Sequence, residues 1–285
     1  PYLFAVPLIN RFHYKTVKVF LNHGTVALKK RQPMNPKLEK MVERLITSYD
    51  INTADAEYEK NIKHEGWKID NSKIFIIGSP RYDTLDNKSE GNKIFFMPTW
   101  RPWVKNDKAS IEETDYFQNI TGLIKNKELQ DFLKENNIVM NIYIHQLLHE
   151  HLGSFSSGIS GENIVLLPKE ADIQNEITAG SMLITDYSSM AFDFYYLNKP
   201  VLFFQFDREK YEKLLGSYIS LEKDLFGEAV FNIEDCVAKI KEMYSDNFQI
   251  SDKYRQLRSR YFKYTDKNNR ERLYKIIKEE VVRNR

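Results

Sequence analysis

The stretch Met182–Asp207, MLITDYSSMAFDFYYLNKPVLFFQFD, decides the fold. Met182 to Thr185 is a short apolar run of the kind that fills a buried parallel strand. Asp186, Ser188 and Ser189 are residue types that open helices, and the segment Met190 to Leu197 after them reads as one. Lys199-Pro200 ends that helix, and Val201 to Phe204 supplies a second apolar run. Strand, turn, helix and strand make one βαβ unit. Its helix start presents unpaired backbone N–H groups and serine hydroxyls, a setting suited to a phosphate.

Upstream, Lys15 to Leu21, KTVKVFL, alternates like a strand and delivers His23-Gly24-Thr25 at its C-terminal end, where α/β proteins place ligand loops. Lys29, Lys30 and Arg31 follow, a basic cluster that suits an anionic group and equally a solvated charge run. Lys37 to Tyr49 has helical periodicity, with Leu38, Met41, Val42, Leu45 and Ile46 on one face. Asp50 to Thr53 reads as a short strand or loop, Ala54 to Glu65 as a helix, and Ile74 to Ile77 as a buried strand ending at Gly78-Ser79-Pro80-Arg81. The charged stretch Asp86 to Lys93 is the expected linker. Beyond it Ile94 to Met97, Val139 to Ile144 and Asn163 to Leu167 are strands, while Glu113 to Asn136 is one or two helices and Ile173 to Ala179 a short one. This alternation predicts an α/β protein with a doubly wound parallel sheet. The tail Asn247 to Arg285 is basic and helical, with Tyr261, Phe262, Tyr264 and Tyr274 as apolar anchors.

A length of 285 residues, 42% of them hydrophobic and 13% aromatic, describes a globular chain long enough for two cores. The formal net charge of +2 argues against a nucleic-acid binder. Cys236 is the single cysteine, which excludes an intramolecular disulfide and a cysteine-rich zinc module. No run of about 18 apolar residues is present for a membrane span. The opening PYLFAVPLIN is too short for a signal peptide and lacks its basic region. With Pro1 in first place, the chain is expected to be a fragment.

LITDYSSMAFDF followed by KPVLFFQFD resembles the signature of bacterial CDP-glycerol glycerophosphotransferases, the teichoic acid primases and polymerases and related capsule polymerases. NHGTVALKK from Asn22, GSPRYDTL from Gly78 and MPTWRPW from Met97 match further family strings in the same order. FGEAVFNIEDCVAKI from Phe226 is similar to another, with Glu228 and Ala229 in place of the family's Pro-Gly signal. The resemblance implies a GT-B-like α/β fold of two Rossmann-like lobes with parallel sheets, the N-terminal lobe truncated. On that basis residues 1–88 are the C-terminal part of the acceptor-side lobe and 89–246 the nucleotide-donor lobe. Residues 247–285 are then a helical segment packing back on both.

The activity so implied is transfer of glycerol phosphate, or another polyol phosphate, from CDP-glycerol or CDP-ribitol to a hydroxyl of a lipid-linked teichoic acid or capsule polymer. CMP is released, and the implied place is the cytoplasmic face of the cell membrane, as a peripheral protein. His23 matches the histidine that serves the family as base. His145 matches a histidine that meets the donor phosphate and stands with His23 as the catalytic pair, although Gln146 replaces the proline usual after it. Arg101 is the arginine suited to fork onto the diphosphate, and Thr185, Ser188 and Ser189 form the phosphate cradle. Asp186 is an orienting or capping carboxylate; Asp193 meets ribose or glycerol, or a helical salt bridge. Gly24, Thr25, Lys29, Arg81 and Asp83 lie in the matching strings, as ligand contacts or as loop structure. HGTVALKK is one residue longer than the HGTPLKK of the teichoic acid polymerases, which leaves polyol and acceptor open. No cofactor is expected and a divalent cation is left open; His149 and His151 near His145 raise a metal reading without an HExxH pattern behind it. A nucleotide-sugar glycosyltransferase of the same fold and a non-catalytic nucleotide-binding module are the alternatives.

Overall fold

A computed structural model describes residues 16–22, 24–32, 35–106, 111–145, 148, 151–156, 159 and 162–283. The chain divides into two compact units: Pro1–Ala27, Arg31–Thr84 and Leu257–Arg285 form the first, Leu28–Lys30 and Leu85–Gln256 the second. Among the described residues no helix is long and apolar enough to cross a membrane.

The first unit carries a parallel sheet of β1 (Val19–Phe20), β2 (Ile51–Ala54) and β3 (Ile74–Ile76), in that order. All four residues of β2 are buried, because the central strand is covered on both faces. That placement turns a stretch equally readable as strand or loop into strand, with Asn52 and Thr53 inside it. The helix Pro36–Thr47 starts where Asn35 accepts the Lys37 N–H and Pro36 occupies the first turn. Its Ile46 packs with Ala54, Ile69 and Ile74. The helix read as Ala54 to Glu65 begins instead at Glu57 and passes at Ile62 into a π-helical turn, Ile62–Gly66.

The second unit is a six-stranded parallel sheet of β4 (Lys93–Phe96), β5 (Val139–Ile142), β6 (Ile164–Leu166), β7 (Met182–Thr185), β8 (Val201–Phe204) and β9 (Glu228–Val230). The spatial order β6-β5-β4-β7-β8-β9 is that of a doubly wound sheet, with its topological switch between β4 and β7. Those two strands run side by side, Phe96 opposite Ile184, so the chain after each emerges at the same edge. Met182, Leu183 and Ile184 are fully buried, as a strand covered by helices on both faces requires. The stretch read as one or two helices from Glu113 is two, Asp115–Lys125 and Lys127–Glu135, separated at Asn126, whose side chain caps the second.

Of the C-terminal segment, Leu257–Arg285 belongs to the first unit and residues 247–256 to the second. Tyr261 meets Tyr58 edge to face at 4.9 Å and Phe262 meets Tyr82 at 5.8 Å, whereas Tyr274 is 61% exposed and anchors nothing. The helix Asn269–Arg283 is held at its start by Asp83, which accepts the N–H groups of Asn269 (3.0 Å) and Arg270 (2.8 Å). Gly78, at φ +79°, leaves room for Asn269; a Cβ there would lie 2.4 Å from its Oδ1.

Candidate functional site at the topological switch

The loops after β4 and β7 are tied together by hydrogen bonds that no local pattern contains. Thr185 Oγ1 donates to Met97 O at 2.6 Å, and the Asp186 carboxylate accepts the Thr99 N–H at 2.9 and 3.1 Å. Asp186 Oδ1 also accepts the Tyr187 N–H at 2.6 Å, while Gln205 Nε2 donates to Asp186 O at 3.0 Å. Asp186 therefore joins two loops and leaves the capping of Ala191–Tyr196 to others: the N-cap is Met190, which forms no side-chain cap. Ser188 Oγ accepts the Met190 N–H at 3.2 Å, and the Ser189 hydroxyl has no hydrogen-bond partner among the described residues. Both serines are half-buried.

Arg101 is the hub of this arrangement. Its Nε and NH2 fork onto Asp207 at 2.7 and 3.0 Å, NH2 reaches Asp186 Oδ2 at 2.8 Å, and NH1 donates to Thr99 O at 2.5 Å. The side chain is wholly buried among the rings of Tyr187, Tyr211, Tyr116, Phe206 and Trp103, with the Tyr187 ring 4.8 Å away. Burial by itself would lower the guanidinium pKa, but Asp186 and the Asp207 hydrogen bond and charge raise it well above its ordinary value. The tyrosines rise as well: burial and the two aspartates push the hydroxyls of Tyr116, Tyr187 and Tyr211 upward, against the charge of Arg101. A guanidinium so engaged is closed to solvent, so the expected fork onto a diphosphate is here a fork onto Asp207.

Other candidates gather around the same edge. His145 follows β5 and stacks on Trp100, ring centroids 6.4 Å apart. Lys29 has an exposed side chain and no hydrogen bond or ion pair among the described residues. Its ammonium pKa is lowered, first by partial desolvation and then by the charge of Arg101, with Asp186 pulling the other way. Asp193 is buried within its helix. His23 lies outside the described residues, as do Gln146 and His149. Among the described residues no three His, Cys, Asp or Glu side chains are placed to hold a metal ion.

The remaining candidates belong to the first unit. Gly24 is half-buried; Thr25 is buried, its hydroxyl donating to Asp55 Oδ2 at 2.7 Å. The Arg81 guanidinium lies 4.8 Å from the Tyr82 ring, and Asp83 holds the C-terminal helix. Sequence reasoning passed over Asp207, Tyr187 and Tyr211 in the second unit, and Asp55, Glu59 and Lys63 in the first. Asp207 stood at the end of the deciding stretch. The spacing of Asp55, Glu59 and Lys63 at four-residue steps was visible too, yet such ladders mostly line solvated helix faces.

The sequence pattern of the CDP-glycerol:poly(glycerophosphate) glycerophosphotransferase family matches residues 4–279. The minor teichoic acid biosynthesis protein GgaB of Bacillus subtilis is 32% identical over 273 residues, covering 92% of this chain and 29% of its own length. The teichoic acid glycerol-phosphate primase of the same organism is 23% identical over 84% of this chain and 60% of its own. The chain thus spans less than two thirds of the length of these relatives. The wall teichoic acid polymerase TagF superposes with a TM-score of 0.69 at 21% identity, over 93% of this chain and 68% of that one, a likeness in fold. With the family pattern running through nearly all of its length, and a GT-B-like α/β fold with parallel sheets beneath it, the chain belongs to the CDP-glycerol:poly(glycerophosphate) glycerophosphotransferase family.

Proposed function

We propose that this chain carries the catalytic region of a transferase that moves glycerol phosphate, or a related polyol phosphate, from a CDP-activated donor to a hydroxyl of a lipid-linked teichoic acid-type polymer. The acceptor oxygen attacks the phosphorus that bears the polyol, the bond from that phosphorus to the bridging oxygen breaks, and CMP leaves. The attacking hydroxyl gives its proton to His23. The observation that supports this reading most directly is the junction of the loops after β4 and β7, where Asp186 binds the Thr99 N–H and Ser188 accepts the Met190 N–H. Family membership supports the choice of a cytidine donor.

Within that reading the buried Arg101 shapes the donor loop from behind, while groups nearer solvent meet the diphosphate. The Ser189 hydroxyl, the Ser188-Ser189 backbone, His145 and the Lys29 ammonium are those groups. Preorganised donors of this kind act where charge develops in the transition state. The polymer end arrives at a membrane surface, its charge and lipid supplied by the acceptor.

The test is binding followed by turnover. CDP-glycerol, CDP-ribitol, CMP, UDP-GlcNAc and ADP are titrated in thermal shift, where ligand at about 100 times its Kd adds roughly 2.7 kcal/mol of stability. A rise with cytidine ligands, weakened in Lys29→Met and Ser189→Ala, is expected. CMP release should then fall about 10²- to 10⁴-fold in His23→Ala, the usual range for a lost general base. A response to UDP-GlcNAc alone would overturn the donor assignment.

A further inference from the structure

The chain after His23 has no regular secondary structure from Gly24 to Lys30, so its conformation depends on what its polar groups find. Two of those groups find buried carboxylates. Thr25 Oγ1 donates to Asp55 Oδ2 at 2.7 Å, and the Val26 N–H donates to Glu59 Oε1 at 3.3 Å. The Tyr82 hydroxyl lies 3.1 Å from Thr25 Oγ1, and with the threonine proton directed to Asp55 it is Tyr82 that donates. The carboxylates are themselves fixed. Asp55 N–H donates to Glu59 Oε2 at 2.7 Å, Lys63 pairs with Glu59 Oε1 at 3.0 Å, and Lys63 Nζ also donates to Thr53 O at the end of β2. Asp55 is 4% exposed, Glu59 2% and Lys63 0%.

Stability does not account for this cluster. Two carboxylates and an ammonium lose their hydration when buried, and apolar side chains of similar volume commonly serve a core as well or better. What the carboxylates do supply is a pair of acceptors aimed at two consecutive residues of a loop without regular secondary structure. We propose that Asp55 and Glu59 are positioning residues, a carboxylate latch that holds Thr25 and Val26 and thereby sets the approach of His23 to the acceptor hydroxyl. The proposal rests on the transferase reading, in which His23 is the base. A displacement of about 1 Å in such a group costs turnover roughly 10²-fold while leaving substrate binding in place.

The experiment compares the wild type with Thr25→Val, Thr25→Ser and Asp55→Asn, each first shown by thermal melting to be folded. Thr25→Val keeps the shape and removes the donor; Thr25→Ser restores it; Asp55→Asn keeps an acceptor in the same place and serves if the valine variant fails to fold. Two quantities are read on the same samples: amide hydrogen exchange over residues 22–30, and kcat and KM for CDP-glycerol with CMP release as signal. The latch predicts that Thr25→Val exchanges at least 10-fold faster in that segment, loses at least 10-fold in kcat with KM within twofold, and recovers both in Thr25→Ser. Unchanged exchange overturns the latch, whatever the turnover. Faster exchange with unchanged kcat overturns its role in positioning, provided His23→Ala is inactive. A wild type without turnover on any cytidine donor sinks the transferase reading instead, and the exchange result then decides by itself whether the carboxylates hold the loop.

Discussion

In the second unit one arginine serves two aspartates, whereas in the first one lysine serves a glutamate and leaves the neighbouring aspartate to a threonine. Both clusters set two carboxylates around one cation; Asp55, Glu59, Lys63, Arg101 and Asp186 are buried, and Asp207 keeps an edge toward solvent. The outcome differs because the cations differ. A planar guanidinium with five donors forks onto Asp207, reaches Asp186 and still has a hydrogen for Thr99 O. A compact ammonium satisfies Glu59 and one carbonyl and extends no further. Asp55 is therefore pushed up to about 7, chiefly by burial and next by Glu59, against the pull of Thr25, Lys63 and Arg81. One cluster has both carboxylates on its cation; the other keeps a carboxyl that titrates near neutrality beside the loop it holds.

The sharpest way to break the comparison is to remove each cation. Arg101→Met strands two buried carboxylates at once, and denaturant unfolding should show a loss at or above the upper end of the ~3–5 kcal/mol seen when one partner of a buried pair is deleted. Arg101→Lys should recover only part, since an ammonium cannot reproduce the fork. Lys63→Met strands one carboxylate and should cost about 3 kcal/mol, the lower end of that range. Equal losses in the two variants would mean that the second aspartate contributes nothing to the arginine cluster.

Titration separates the clusters next. The folded state holds the Asp55 proton up to about pH 7 while the unfolded chain releases it near its ordinary 3.8. The unfolded state thus binds fewer protons in between, so this contribution to stability is complete below pH 3.8 and is lost as pH rises toward 7. The slope reaches at most about 1.4 kcal/mol per pH unit for one proton. Glu59, Lys63, Arg81 and the hydroxyls of Thr25, Tyr58 and Tyr82 surround the carboxyl. Unfolding measured from pH 4 to 8 should lose this slope in Asp55→Asn and keep it in Arg101→Lys. The smallest expected effects come from single hydroxyls. Tyr82→Phe removes the donor to Thr25 and Tyr187→Phe the contact to Asp207 at 3.3 Å, each worth about 0.5–1.5 kcal/mol. A larger loss in Tyr82→Phe than in Tyr187→Phe would show that the looser cluster depends more on its neutral partner.

Much of this architecture was legible in the residues. Met182 to Thr185, Val201 to Phe204 and Ile173 to Ala179 are elements with the ends expected of them. Buried parallel strands need continuous apolar runs, and helices need caps such as Asp172 and Asn126. Both are local requirements. The same locality makes TDYSS legible as the turn after β7, at the edge of the sheet where the loop after β4 also emerges. The roles within that edge were not legible. Arg101 meets Asp207 across 106 positions of sequence, Thr99 meets Asp186 across 87, and Thr25 meets Asp55 across 30. Asp55, Glu59 and Lys63 have the spacing of a solvated ladder, yet they face the interior because β2 and the returning C-terminal segment enclose them, Lys263 N–H donating to Asp55 O at 3.0 Å. By itself the sequence determined many of the buried strands and capped helices, the sheet class and the family, since apolar period and capping chemistry are written residue by residue. Only the tertiary structure decided which charges are buried and whom they serve, because a charged side chain takes its partner from whatever distant segment packing brings within about 3 Å of it.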